Sequence, residues 1–544
     1  MKGDDVAVPL VGAPLAVRAK ALGVRAATPE PVAKARSLFR LVPPGALLVV
    51  LVVLGLAVWR FAFVLAGPDP DTDAYGHHSI ARQILVDPRN LHVHWVWLPL
   101  FHYVQAGAIL LGATLDSVRL ANVLVSAAVP LLLYVTLRGN RARDGERSGD
   151  PTPAIAAVIC ALSPIAMQMG TTGQTEPLFA LLTMGAAWAL SRSRMGALCA
   201  TLTAAVLIRY ESWAIVLAVA ALSVVERALD RLGGPKALAI VCRPTSSKPI
   251  AWWAWLVPIA TIFAWAAIRR PVDGSWFWFL RGTREFANGA LGAKSSLDVG
   301  GKQLGLDLAR YAVSIPWRVI GYPLMLAPLG LVRVVRREGA RFCAVFLAVL
   351  GFVTLAWVMR SSLGLDRHFV ALVPLYATLI AHGIVVLADA FGVVAGRVTA
   401  VSEHAFLVSG SARAAVIAGL SCAVFLGSYQ NLDEWMTNFR HASEEGWTDR
   451  RMLADWLHRL PTGAVIFCDE PTIEVLSGLD RHRFERIGAV DPVRVKRRAE
   501  LEGEVWVASW AAALGPMRKI GEVVYRPPGP WKENEGLEVV RVAP

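Results

Sequence analysis

Residues 46–78 read ALLVVLVVLGLAVWRFAFVLAGPDPDTDAYGHH, and the change of character near Ala66 decides the fold class. Up to Leu65 the chain is apolar for about the length a helix needs to cross a bilayer core, roughly 17 to 25 residues. Gly67-Pro68 and Pro70 then break any helix, and an acidic cluster containing Asp71 and Asp73 follows. Carboxylates are thus expected at a membrane surface, at the start of a short amphipathic helix from Asp73 to Leu85.

Working outward, further apolar runs occupy 120–137, 154–170, 177–190, 195–208, 213–225, 252–268, 312–332, 342–359, 369–387 and 414–429. With Ala46–Leu65 they predict an α-helical polytopic membrane protein of about eleven transmembrane helices. The composition agrees: the 544 residues are 55% hydrophobic and 18% charged, with a mean hydropathy of +0.48, far from a soluble average. The net charge of +13 lies in short basic clusters between apolar runs, which membrane topology accounts for, so no nucleic-acid partner is expected. The six cysteines are scattered, several within apolar runs, without metal-type spacing or a disulfide framework. The basic segment 1–44 is too long for an ordinary signal peptide and predicts an uncleaved first span with the N-terminus inside.

Parity refines this topology. Were 100–112 to cross, the loop with Arg138, Arg141, Arg143 and Arg147 would lie outside, against the positive-inside rule, so that run is read as juxtamembrane or re-entrant. Basic clusters at Arg192/Arg194 and Arg227/Arg231 require an even number of crossings between them, so the chain turns back near Arg209-Tyr210-Glu211. Outer loop 66–119, the turn 171–176, the Arg209 turn and the loop with Asp366-Arg367-His368 then share the outer side. The loop 269–310, with Trp276, Phe277, Trp278 and Phe279, suits an interfacial aromatic belt or a lid. Beyond the transmembrane part (45–430), residues 431–544 predict a small extracytoplasmic α/β domain: a helix 448–459, a strand 464–468, a helix 492–501 and strands 504–510, 522–525 and 537–542. No dinucleotide or phosphate-loop fingerprint occurs, and no internal repeat of the transporter kind.

Several residues on the outer side could do chemistry. A carboxylate fixed at such a surface can take the proton of an attacking hydroxyl, though Asp71 or Asp73 could equally cap the helix. Glu176 opens a helix, where the dipole favours a carboxylate. Arg209 and Glu211 interrupt an apolar stretch and could pair with each other. Arg367 and His368 begin a span from the side where positive charge is not expected, and basic groups there suit a phosphate. His77, His78, His92 and His94 invite a metal reading, but adjacent helical residues point apart and interfacial histidines are ordinary.

Asp71-Thr-Asp73-Ala-Tyr75 with Trp97-Leu-Pro99-Leu, Thr175-Glu176-Pro177, Arg209-Tyr-Glu211 and Arg367-His-Phe together resemble the glycosyltransferase C superfamily, which includes protein O-mannosyltransferases, aminoarabinose transferases and the oligosaccharyltransferase catalytic subunit. The resemblance covers about the first 390 residues. It implies a polyprenyl-phosphate sugar as donor, a lipid, glycan or protein acceptor on the outer face, Asp73 as catalytic base with Asp71 as the alternate, Arg209, Arg367 and His368 at the donor phosphate, and Glu176, Glu211 and Tyr75 in support. It leaves a divalent cation on Asp71, Asp73 and Glu176 open, since some members use one and others do not. This chain departs from many relatives in having Tyr75-Gly76 for Tyr-Tyr and Arg209-Tyr-Glu for Arg-Pro-Glu, and it lacks a WWD signature. The expected function is inverting sugar transfer at a bacterial inner membrane. A transporter or flippase of a lipid-linked substrate would need acids near the bilayer midplane and symmetric halves, and a non-catalytic sensor would need the first-loop acids only as caps.

Overall fold

The computed structural model describes residues 44–143, 150–232, 249–291, 301–398, 405–485, 491–528 and 536–544. The basic segment before Pro44, Arg147 and part of the loop 269–310 lie outside them. From Val49 onward the chain forms one compact unit.

Helix α1 (Pro44–Ala66) stops where Pro68 and Pro70 deny it backbone donors, and the first-loop helix α2 (Thr72–Val86) follows. The run at 100–112 forms α3 (Leu100–Leu110), too short at about 1.5 Å per residue to cross a bilayer. Next come α4 (Leu115–Arg143), α5 (Thr152–Ala161), α6 (Pro164–Met169), α7 (Glu176–Ser191), α8 (Met195–Val206), α9 (Glu211–Leu232), α10 (Trp253–Asp273), α11 (Trp278–Leu291) and α12 (Gly301–Ala309). Among the described residues six helices are long and apolar enough to span a membrane, and shorter apolar helices pack among them. Leucines and valines on these helices stay open, with Val58 68% and Leu65 74% exposed. In water such a surface would be untenable; against lipid it is at rest. The chain is an integral membrane protein.

The run 312–332, expected as one span, is broken. A π-helical turn (Arg310–Ser314), α13 (Ile315–Ile320) and a 3-10 segment (Tyr322–Leu326) precede α14 (Ala327–Val358). Pro316, Gly321 and Pro323 explain the breaks, since Gly321 adopts φ 73° and proline withholds an N–H. Within α14, Gly339 leaves helical geometry at φ 84°, dividing it between the two apolar runs. Helix α15 (Val373–Val398), preceded by a 3-10 segment (Asp366–Leu372), lies along α14. At their crossing a Cβ on Gly330 would meet the Leu379 carbonyl oxygen at 2.0 Å, and one on Gly383 the Leu326 oxygen at 2.0 Å. Bare backbone is what lets the two approach so closely.

Helix α16 (Ala405–Gly446) runs without interruption past residue 430, so the chain passes from the apolar part towards the C-terminal domain inside a helix rather than a linker. The domain holds α17 (Thr448–Leu457), β1 (Val465–Cys468), α18 (Pro471–Ser477), β2 (Phe484–Glu485), α19 (Pro492–Glu502), β3 (Val505–Trp510), β4 (Glu522–Tyr525) and β5 (Leu537–Val542). Its sheet has the order β2-β1-β3-β5-β4, parallel through β3 and antiparallel beyond. Strand alternation puts Ile466, Cys468, Trp506, Ala508 and Val539 on the face covered by α17 and α18, and Phe467, Val505, Val507 and Val540 on the face covered by α19. The domain is pinned to α2: Ser79 Oγ donates to Glu474 at 2.7 Å, Arg82 reaches the Leu479 carbonyl at 2.5 Å, and Tyr75 packs on Trp447.

The α14–α15 crossing has a direct test. Gly383→Leu would have to push backbone aside and is expected to destabilise by more than about 3 kcal/mol, seen as a lower unfolding temperature in detergent. Gly305→Ala, with open space around it, should leave that temperature unchanged.

Candidate functional site

The first-loop acids are placed by their own backbone. Asp71 caps α2, its Oδ1 accepting the Asp73 N–H at 3.0 Å. Asp69 accepts the Asp71 N–H at 3.0 Å through Oδ1 and, through Oδ2, the Gly173 N–H at 2.5 Å. Beside it Arg119 of α4 lies 3.7 Å away and donates to the carbonyls of Thr171 at 2.9 Å and Gly67 at 2.7 Å. Asn122, one turn along α4, donates to the carbonyls of Thr172 and Gln174, both at 2.8 Å. Asp69, Arg119 and Asn122 thus clamp the end of α1, the start of α2 and the loop that delivers Glu176. None of the three was singled out by sequence reading. Asp69 sat in the quoted acidic cluster, and Arg119 and Asn122 were polar residues at the head of an apolar run, but their partners are about fifty residues away.

On this frame the expected residues meet. Arg367, from the 3-10 turn before α15, pairs with Asp71 at 3.2 Å, with Asp73 and, through Nε, with Glu176 at 3.3 Å. Glu176 Oε1 also receives Arg209 Nη1 at 2.7 Å, while Arg209 Nε and Nη2 make a forked contact to Glu211 at 3.2 and 2.7 Å. Arg209 sits where α8 ends and α9 begins, the turn that charge parity demanded. His368 faces the Tyr311 hydroxyl at 3.5 Å and Ser362 Oγ at 3.4 Å. Asp71, Asp73, Glu176, Arg209, Glu211 and Arg367 therefore form one continuous ionic chain. All six come from helix starts, helix breaks or turns at one end of the bundle. Tyr75 does not join it; the ring is buried against Trp447 and belongs to the seam with the C-terminal domain.

Within the chain of charges Asp73 is the more open acid, its side chain 34% exposed against 17% for Asp71. Burial raises the Asp71 carboxyl and the Arg367 guanidinium pulls it back. The guanidinium of Arg367 stands between Asp71, Asp73 and Glu176, the three carboxylates left open for a divalent cation. Among the described residues no group of three His, Cys, Asp or Glu is arranged to hold an ion. The first-loop histidines also diverge: His92, 61% exposed, lies 3.8 Å from Asp273, whereas His77 and His94 meet through His102, a residue that sequence reading passed over.

Asp69 supplies a pH test of the clamp. Burial pushes its carboxyl up to about 7, against the opposing pull of Arg119 and of the Asp71 and Gly173 N–H groups. A carboxyl raised on folding stabilises below its unfolded value and loses that contribution as pH rises through the folded one. The unfolding temperature of the purified chain should accordingly fall between about pH 4 and pH 7. In Asp69→Asn that part of the slope should be absent, which differential scanning fluorimetry of the two proteins would read.

No protein-family model matches the chain, and no curated protein does. Among solved structures it is similar to ArnT from Cupriavidus metallidurans bound to undecaprenyl phosphate, at 15% identity and a TM-score of 0.55 over 90% of this chain and 97% of that one. The apo form of the same protein matches over the same shares at 14% identity, with a TM-score of 0.50. The Archaeoglobus fulgidus oligosaccharyltransferase in its apo form is more distant, at 12% identity and a TM-score of 0.48 over 86% and 70% of the chains. A helical membrane bundle with a small appended α/β domain, aligned with ArnT over nearly its whole length, has the ArnT fold.

Proposed function

We propose that this chain is a membrane glycosyltransferase that moves one sugar from a polyprenyl-phosphate donor to a hydroxyl acceptor by inverting displacement, at the exoplasmic face of a bacterial cytoplasmic membrane. The observation that carries the reading is the union of Asp71, Asp73 and Glu176 on Arg367, at helix ends of a bundle with the fold of ArnT. That ArnT structure holds undecaprenyl phosphate, and a donor arriving within the bilayer would explain why no nucleotide-binding fold is needed.

In this mechanism Asp73, the more accessible acid, takes the acceptor proton as the acceptor oxygen attacks the anomeric carbon from the face opposite the phosphate. Asp71 holds the first turn of α2 and shares Arg367. The centre passes through an oxocarbenium-like state, and the bond to the phosphate oxygen breaks with its electron pair on the phosphate. Arg367, Arg209 and His368 offset the charge gathering there. Arg310, bonded to the Gly364 carbonyl and stacked 4.5 Å from the Trp357 ring, would add to them. Glu176 and Glu211 orient the guanidiniums. The C-terminal domain, fixed to α2 by Glu474, would present the acceptor. Gathering of the charges at helix ends favours this reading over a transport path, which would need them at mid-depth.

General base catalysis contributes about 10²–10⁴-fold. Asp73→Asn is therefore expected to lower transfer of radiolabelled sugar from total polyprenyl-phosphate sugars at least a hundredfold, with an unchanged unfolding temperature. Arg367→Gln should abolish transfer as well. Full activity in Asp73→Asn would remove the proposed base.

A further inference from the structure

In the C-terminal domain the carboxyl ends of β1 and β3 carry polar and aromatic side chains that take no part in the ionic cluster. The two strands are parallel neighbours, paired as far as Cys468 and Ala508. Beyond that pair the chain leaves them in opposite directions. After β1 it enters α18, whose Ile473 packs on the same face of the sheet as Ile466 and Cys468. After β3 it turns to the other face, where Leu514 and Met517 pack with Val495 and Ala499 of α19. Adjacent parallel strands whose continuations part in this way leave a crevice between their ends, and in open α/β sheets that crevice is where ligands bind.

The next residues in register line it. Ser509 Oγ donates to Asp469 Oδ1 at 2.6 Å, and Trp510 Nε1 donates to Glu470 Oε2 at 3.2 Å. Arg450 of α17 lies over the Trp510 ring at 5.0 Å and over the Trp447 ring at 4.4 Å, with its Nε 3.8 Å from Glu470. The Trp510 indole is thus fixed at its N–H edge and under a guanidinium. The residue is nevertheless 38% exposed, and Asp469 beside it is exposed as well.

The chemistry of such a surface is selective. Asp469 and Glu470 outweigh Arg450 in charge and repel phosphate or sulfate, which excludes a nucleotide and the donor headgroup. A flat indole suits an apolar ligand face, while carboxylates, being acceptors only, suit hydroxyl donors around its rim. A neutral pyranose offers both, with C–H groups on its face and hydroxyls at its edge. The crevice also adjoins the first-loop helix. Glu474 of α18 holds Ser79 of α2, and Trp447, which shares Arg450 with Trp510, packs on Tyr75, two residues from Asp73.

We infer that Trp510, Asp469 and Glu470 form a binding subsite for a neutral pyranose of the acceptor, which is therefore a glycan or a glycolipid. As an acceptor subsite it rests on the glycosyltransferase reading. The sugar ring stacks on Trp510 and its hydroxyls donate to Asp469 and Glu470. Arg450 and Ser509 are positioning residues, one holding the indole and the other the Asp469 carboxylate.

The test reads binding separately from transfer. The full-length chain in detergent is applied to immobilised neutral oligosaccharides of mannose, glucose and galactose, to their sulfated forms and to a Ser/Thr-rich peptide. Binding to at least one neutral oligosaccharide is expected, weakened about tenfold or more in Trp510→Ala and less in Trp510→Phe, which keeps a flat ring. Asp469→Asn, which can still accept from Ser509 and leaves the core untouched, should weaken binding at an unchanged unfolding temperature. The bound oligosaccharide should also receive radiolabelled sugar from total polyprenyl-phosphate sugars, with Trp510→Ala raising its KM and leaving kcat alone. No binding to any neutral oligosaccharide, binding or KM unchanged in Trp510→Ala, or preference for the sulfated sugars or the peptide would each overturn the subsite. Asp73→Asn separates the two ideas, since it should bind oligosaccharide as the wild type does and fail to transfer. If it is inactive and no neutral oligosaccharide binds, the subsite alone fails; if it still transfers, the transferase reading falls whatever the sugars bind.

Discussion

Charge in an apolar bundle must be answered by opposite charge close at hand, and Arg367 is where this chain meets that demand. One guanidinium touches carboxylates from the α2 start, from its first turn and from the head of α7. Desolvating such groups costs several kcal/mol each, so an ionic chain of this length is poor economy for stability alone. Its members must be drawn together by the fold, and they in turn specify how the helix ends meet. Polar groups kept at a membrane protein's interior in spite of that cost are by default functional.

The surroundings of the cluster are built to hold it still. Asp69, Arg119 and Asn122 satisfy backbone groups of two connecting segments that lipid could not satisfy. On the other side, the α14–α15 crossing brings two helix backbones into contact through Gly330 and Gly383, which anchors the helix that follows the Arg367 turn. The C-terminal domain adds a third restraint by gripping α2 through Glu474. Under the proposed transfer, an acid that has to lie opposite a leaving group would gain from such stiffness, since small misplacements are expensive in rate.

Much of the fold was legible in the sequence because its signals are local. Apolar length marks helices, proline and glycine mark their ends, and alternation marks strands, so the first-loop helix, α7, α8 and most of the C-terminal strands could be read within a few residues, whereas the run 312–332 is broken, 154–170 is two helices and 414–429 is only the middle of α16. The six members of the ionic chain could also be named, since charge at the end of an apolar run is conspicuous wherever it occurs. Pairing is another matter. That Arg367 would join Asp71, Asp73 and Glu176, that Tyr75 would turn to Trp447, that Asp69 would reach Gly173 and that His102 would link His77 to His94 depend on contacts between segments that are often far apart in the chain. Spacing carries no trace of the more distant of them. The sequence by itself determined which residues would be costly to bury; the tertiary structure alone decided which partners would meet that cost, because compensation of charge depends on distance in space and not on distance along the chain.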